Sequence, residues 1–168
     1  GQSIDVANRI DSLLLSGTTS NRLTATGPIR LDRIANAASS LIINAGDGLL
    51  TLNTLSGSGD LQVVDASAVT VAGALTAGSV QFLVGNTGAV NFGGTFSANT
   101  LTLANGGGSV SFAGNVSAGT ITTSANPYVV SFRGDSTTVT NQVSFLNNPG
   151  GFGLVLGDDT TDIVRFNG

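Results

Sequence analysis

Cysteine, histidine, lysine, glutamate and methionine are all missing from this chain, and each absence closes off a possibility. Without cysteine the fold takes nothing from disulfides and is indifferent to the redox state of its surroundings. Without cysteine and histidine, Ser–His and Cys–His nucleophiles and most zinc sites are excluded. All ten acidic residues are Asp and all six basic residues are Arg, so general acid–base work would fall to aspartate alone. Glu, Lys and Met are the straight-chain residues that lose little freedom in a helix. Their loss, against 24 glycines, excludes long helices. Val, Ile, Thr and Phe, which suit a pleated surface, remain plentiful.

Charge is scarce too, at 10% of residues, yet 40% are hydrophobic and mean hydropathy is +0.31. Disordered chains show the reverse, low hydrophobicity with high net charge. A net charge of −4, with Arg9, Arg22, Arg30, Arg33, Arg133 and Arg165 scattered, excludes a nucleic-acid partner, which would need clustered cations. No apolar run approaches the ~20 residues of a membrane helix, so no membrane span is expected. The opening Gly1-Gln-Ser-Ile-Asp-Val lacks the basic and apolar regions of a signal peptide, and reads as a mature terminus or an excised fragment.

The sequence does contain a repeat. Residues 69–82 (VTVAGALTAGSVQF), 90–103 (VNFGGTFSANTLTL) and 110–123 (VSFAGNVSAGTITT) follow one template, and a fourth copy begins at 130–134 (VSFRG). Successive copies start 21, 20 and 20 residues apart. A fixed period of this length is the mark of a solenoid, whose single rung cannot bury its own apolar face. Apolar-x-apolar triplets, such as Leu50-x-Leu52, Val69-x-Val71 and Leu101-x-Leu103, extend the half-buried strand pattern beyond the copies. The expected fold is therefore all-β, a single-stranded β-solenoid (β-helix) with ~20-residue rungs of three short strands. Gly73, Gly94, Gly114 and Gly134 are placed at corners, where glycine tolerates positive φ. Phe82, Phe92, Phe112 and Phe132 are expected to dominate internal columns of like residues.

Residues 1–44 fit the template worst. They hold four of the six Arg, with Asp11, Asp32 and Pro28, and are expected to form an irregular N-terminal cap or an exchange arm. Residues 45–168 form the solenoid repeats. Residues 147–151 (NNPGG) read as a strong turn.

Few residues are candidates for chemistry. The densest acidic cluster, Asp158, Asp159 and Asp162, is a weak calcium candidate, since oxygen-rich loops bind hard cations. It occurs once and lacks the Gly-Gly-x-Gly-x-Asp repeat of calcium-binding β-rolls, and Asp is a common corner residue, so a plain turn is the simpler reading. The same holds for Asn44-Ala-Gly-Asp-Gly48. Gly106-Gly-Gly108 has no following Gly-Lys-Ser/Thr, which argues against a phosphate cradle. Thr100-x-Thr102, Thr120-x-Thr122 and Thr138-x-Thr140 could form an outward ladder of the ice-binding kind, but Ser79 and Gln81 break the series in the first copy and β-propensity is the usual explanation for outward threonine. No catalytic residues and no cofactor are expected.

The copies at 90–103 and 110–123 resemble rungs of bacterial surface β-solenoids. The phrase Leu52-Asn-Thr-Leu-Ser-Gly-Ser-Gly-Asp-Leu-Gln-Val63 is similar to passenger repeats of autotransporter and filamentous-haemagglutinin-type exoproteins. This resemblance, over about residues 41–168, implies a large secreted or surface-anchored repeat protein of adhesion, matrix or fibre, with no catalytic set to transfer. The expected function is a non-enzymatic extracellular structural protein on the bacterial surface, self-associating end to end, with a glycan or host surface as a possible ligand. Two alternatives are a polysaccharide-acting β-helix enzyme and a pilin-like β-sandwich polymer that uses N-terminal strand donation.

Overall fold

The computed structural model describes residues 2–5, 9–83, 85–86, 88–104, 108–124, 129–145 and 153–168, with backbone alone for 2–5 and 9. The turn at 147–151 and the glycines at 106–107 lie outside the described residues. In chain order the strands are β1 (Gln2–Asp5), β2 (Arg9–Ile10), β3 (Leu13–Leu15), β4 (Ser20–Thr24), β5 (Ile29–Asn36), β6 (Ser40–Asn44) and β7 (Leu49–Gly57). They continue with β8 (Asp60–Asp65), β9 (Ala68–Val71), β10 (Leu75–Phe82), β11 (Val90–Phe92), β12 (Phe96–Leu103) and β13 (Ser109–Phe112). The last are β14 (Val116–Thr123), β15 (Val129–Phe132), β16 (Ser136–Val139), β17 (Val143–Ser144), β18 (Gly153–Leu156) and β19 (Ile163–Phe166). Among the described residues there is no helix.

Every pairing is parallel and joins a strand to its counterpart one winding later. The result is a β-solenoid of about six turns. A sandwich is thereby excluded, because its strands would pair antiparallel through hairpins.

Each winding has three faces, but not three separate strands. In β10, β12 and β14 the second and third faces belong to one eight-residue strand. The chain bends there at Gly78, Asn99 and Gly119, which drop out of an otherwise continuous register. Burial shows the bend directly: Leu75, Ala77, Val80 and Phe82 are buried, and the phase of alternation slips between Ala77 and Val80. In β5 and β7 it is the first and second faces that are fused, with Asp32 and Asn53 at the bend.

The core is a set of columns one residue wide. One runs Leu31, Leu52, Val71, Phe92, Phe112 and Phe132, each at most 2% exposed. Strands 4.7–4.9 Å apart bring equivalent side chains to within ring-stacking distance. Accordingly Phe92 and Phe112 stack at 4.6 Å and 1°, and Phe112 and Phe132 at 5.1 Å and 5°. Phe96, from the second face, meets both Phe92 and Phe112 edge-on at 5.1 and 5.3 Å. Phe82 is buried but belongs to a different column, below Val63 and above Leu103, and contacts Phe92 edge-on at 5.9 Å. Ala77, Ala98 and Ala118 line up at the narrow vertex.

The corner glycines have another cause than the one expected. Positive φ among the described residues falls on Gly17, Gly46, Gly57, Gly108 and Gly157, not on Gly73, Gly94, Gly114 or Gly134. What excludes a side chain at the latter is the winding before. A Cβ at Gly94, Gly114 or Gly134 would come under 3.0 Å from backbone atoms of Gly73, Gly94 or Gly114 respectively. The ladder continues round this corner, with Gly93 N–H donating to Val71 C=O, and Ala113 and Arg133 N–H to Phe92 and Phe112 C=O, all at 2.8 Å.

The segment 1–44 joins the same spiral. Strands β4 and β5 stack in register on β6 and β7, and the ladder passes Asn44 into β8 with a local register shift there. Asp11, Arg22, Arg30 and Arg33 are exposed and Asp32 is half-buried, while Leu23, Ile29, Leu31 and Ile34 fill the columns. Arg30, for example, pairs with Asp32 on the surface at 3.2 Å. The strands β1, β2 and β3 pair with β4 and β5 of their own chain.

Two predictions follow from this packing. Gly114→Val should lower unfolding free energy by about 1–3 kcal/mol, the usual cost of overpacking, whereas Gly27→Ala, with open space around its Cβ position, should change it by less than about 0.5 kcal/mol. Urea titration of both variants checks this, and equal effects would contradict the stacking argument. Thr137 is buried in the column of Val116 with no hydrogen-bond partner for its hydroxyl among the described residues. Thr137→Val should therefore stabilise the protein by about 1 kcal/mol, read as a higher urea midpoint at unchanged slope.

Candidate functional site

The acidic candidates come together where β18 turns into β19. Asp158, Asp159 and Asp162 bring carboxylate oxygens within 4.8 Å of one another on an exposed loop. The loop is organised by its own hydrogen bonds. Gly157, at φ 77°, reverses the chain, and Asp162 Oδ2 then accepts the backbone N–H groups of Asp158 at 2.6 Å and Asp159 at 3.3 Å. Asp159 Oδ1 accepts both the hydroxyl and the N–H of Thr161, each at 2.7 Å. Those two Thr161 donors hold the Asp159 carboxyl below the ordinary value of 3.8. Asp162 Oδ1 is sequestered without a hydrogen-bond partner among the described residues. At Asn44–Gly48 the side chain of Asn44 accepts the N–H of Gly46 at 3.0 Å, and Gly48 N–H donates to Ala45 C=O at 2.9 Å. Gly108 leads into a strand, so its positive φ serves a corner and not a helix N-terminus.

The threonine ladder is shorter than its sequence spacing suggests. Thr100 and Thr102 of β12 pair with Thr120 and Thr122 of β14 on the third face. Ser79 and Gln81 precede them in the same two rows, as the repeat alignment expects. Thr138, however, pairs with Ser117 on the second face: it follows Val130 by eight residues where Thr120 follows Val110 by ten, and one extra residue between Gly134 and Thr137 sets it back one place more. The array on the third face is thus two threonines by two.

Among the hollows of the described surface are three that sequence reasoning did not name. A groove of about 570 Å³ runs along the bend between second and third faces, lined by small neutral residues that include Thr76, Ser97, Ser117, Asn99 and Asn141. A second, of about 410 Å³, lies along the first-to-second corner between Thr95, Asn115, Ser117, Ser136 and Thr138. The third, of about 180 Å³, sits on the third face between Ser20, Ser40, Asp60, Ser79, Gln62 and Gln81. Here Gln62 Nε2 donates to Gln81 Oε1 at 2.7 Å across neighbouring windings. Asp60 is the one ionisable residue among all three linings. The signal for the first of these hollows was present in the template, in the small residue recurring beside each vertex Ala, but it becomes a groove only once the windings are stacked.

No family model matches the chain, and neither the curated proteins nor the solved structures yield a match. The class is defined by the fold itself: a parallel β-solenoid repeat protein. No described helix is long and apolar enough to cross a membrane.

The acid-side behaviour of the Asp159 loop is testable. A carboxyl depressed in the folded state adds stability that is complete above the unfolded value, near 3.8, and is lost as pH falls through the lower folded value. Asp159→Asn keeps an acceptor for Thr161 but removes the titration. Its melting temperature should therefore fall less than the parent's between about pH 5 and pH 2, and parallel curves would show that the loop does not contribute.

Proposed function

We propose that this chain is a non-enzymatic extracellular structural protein, a β-solenoid subunit of bacterial surface fibres, matrix or adhesin. The observation that supports it is the distribution of chemistry over the surface. The apolar bulk is committed to the internal columns, and these three hollows are lined mainly by hydroxyls, amides, glycine and a few apolar side chains such as Ile42 and Val116, with Asp60 their single carboxylate. Hydrolysis of a glycan calls for two carboxyl groups flanking one bond, at about 5–9.5 Å separation. No such pair lines any of the three grooves. What the surface offers a ligand is rows of neutral hydrogen-bonding groups at strand spacing, suited to weak, repeated contact with a polysaccharide or host surface.

The scarcity of charge, 10% of residues, favours association of copies end to end, since it removes one defence against self-association. Incubation of the purified chain with pectin, alginate and related glycans should release no product, while electron microscopy of the same material should show filaments. Reproducible turnover of any of these glycans would overturn the structural reading.

A further inference from the structure

We propose that the groove along the bend between the second and third faces binds a short segment of a neutral polysaccharide, laid along the axis of the spiral. The inference rests on the structural reading and gives it a site and a ligand class. What sets this groove apart is that it has walls. The corner between the second and third faces changes length from winding to winding. Ala37, Ala38 and Ser39 make it between Asn36 and Ser40, and Ser58 and Gly59 make it between Gly57 and Asp60. In the next three windings a single residue suffices: Gly78, Asn99 or Gly119. After Val139 the corner again takes two residues, Thr140 and Asn141, before Gln142.

The strands on either side of this corner keep their register through these changes, so the extra residues project outward. Ala37, Ala38 and Ser58 are accordingly exposed at one end, and Thr140 and Asn141 at the other. Between them lies a recess three windings long, about 14 Å along the axis at the ordinary strand spacing. Its volume of about 570 Å³ falls within the roughly 300–1,000 Å³ of ligand sites. A recess stopped at both ends suits a segment of limited length. An extended pyranose chain advances by nearly one strand spacing per ring, so about three rings fill it.

The lining selects the chemistry. Thr76, Ser97 and Ser117 stand in one row at strand spacing, and Asn99 and Asn141 line the same recess. Hydroxyls and amides both donate and accept hydrogen bonds, which matches a polyol that does the same. No ionisable residue is among the lining, so nothing there neutralises a uronate or a phosphate. Ala77, Ala98 and Ala118 give the floor a narrow apolar strip for the C–H faces of the rings. A peptide fits less well, because it calls for a free strand edge or for deep side-chain pockets. The recess runs across the strands, and their backbone groups serve the ladder: Thr140 and Asn141 N–H donate to Ala118 and Gly119 C=O at 3.0 and 2.9 Å.

An NMR titration of the backbone amides tests the site. The probes are β-linked oligomers of glucose, mannose and N-acetylglucosamine, from disaccharide to hexasaccharide, with galacturonate oligomers as the charged comparison. Shifts should concentrate on Thr76, Ser97, Asn99, Ser117 and Asn141, and affinity should rise to about the trisaccharide and then level off. Ser117→Arg, which lays a long side chain across the recess, should weaken binding by about tenfold or more. Asn99→Ala, which removes only exposed atoms, should weaken it about threefold, and Asn91→Arg on the exposed first face should leave it unchanged. No shift with any neutral oligomer, shifts centred on another face, affinity still climbing at the hexasaccharide, tighter binding of galacturonate, or full binding by both recess variants would overturn the site while leaving the structural reading in place. Absence of filaments from the parent chain, or release of product from the oligomers, would instead overturn the structural reading.

Discussion

Everything in this molecule depends on the hydrogen-bonded ladder between parallel strands one winding apart. Its spacing, ~4.8 Å, is set by the peptide group and admits no local adjustment. Because the spacing is fixed, a side chain pointing inward must fit under its equivalent from the winding above. Residues of equal template position therefore form columns: the phenylalanines stack almost face to face at 4.6 and 5.1 Å, and the alanines mark a narrow vertex. The same spacing explains the corner glycines. At Gly94, Gly114 and Gly134 the backbone of one winding presses on the next so closely that a methyl group has no room.

The repeat from residue 69 onward made the solenoid legible because its period and its alternation are both spelled out by large residues. Val90-x-Phe92 and Val110-x-Phe112 mark one face twice, twenty residues apart, and the coordinates pair them in that register. Less legible were the features created by stacking. Whether Gly114 serves a turn or a close approach cannot be told from the letter G, since both demand the same missing side chain. The fusion of two faces into one strand at Gly78, Asn99 and Gly119 was hidden because one residue alone leaves the register at the bend and the pairing resumes on either side. Before residue 44 the columns are filled by Leu and Ile behind charged outward neighbours, so the template was masked by its own surface. The Asp158–Asp162 cluster was visible as composition, but the N–H groups that organise it come from the loop's own backbone.

The exterior carries the other half of the design. Hydroxyl and amide side chains repeat along the axis at strand spacing, and no charged residue lies between Asp65 and Arg133. Neutral rows of this sort bind weakly at each point and gain from repetition, which suits a material or an attachment surface better than a pocket built around one reaction.

Pairing across an interval of about twenty residues, lengthening to 24 and 27 at the last winding, also sets how the molecule comes apart. Each winding touches its immediate neighbours and no others, so cooperativity passes along the axis from one winding to the next, as in a one-dimensional chain of coupled units. Pulled from one terminus, such an object should peel winding by winding in steps of similar length, and a weak winding in the middle should divide it into two blocks that melt separately. The stack of phenylalanines, which fastens three consecutive windings, is then the place where peeling pauses.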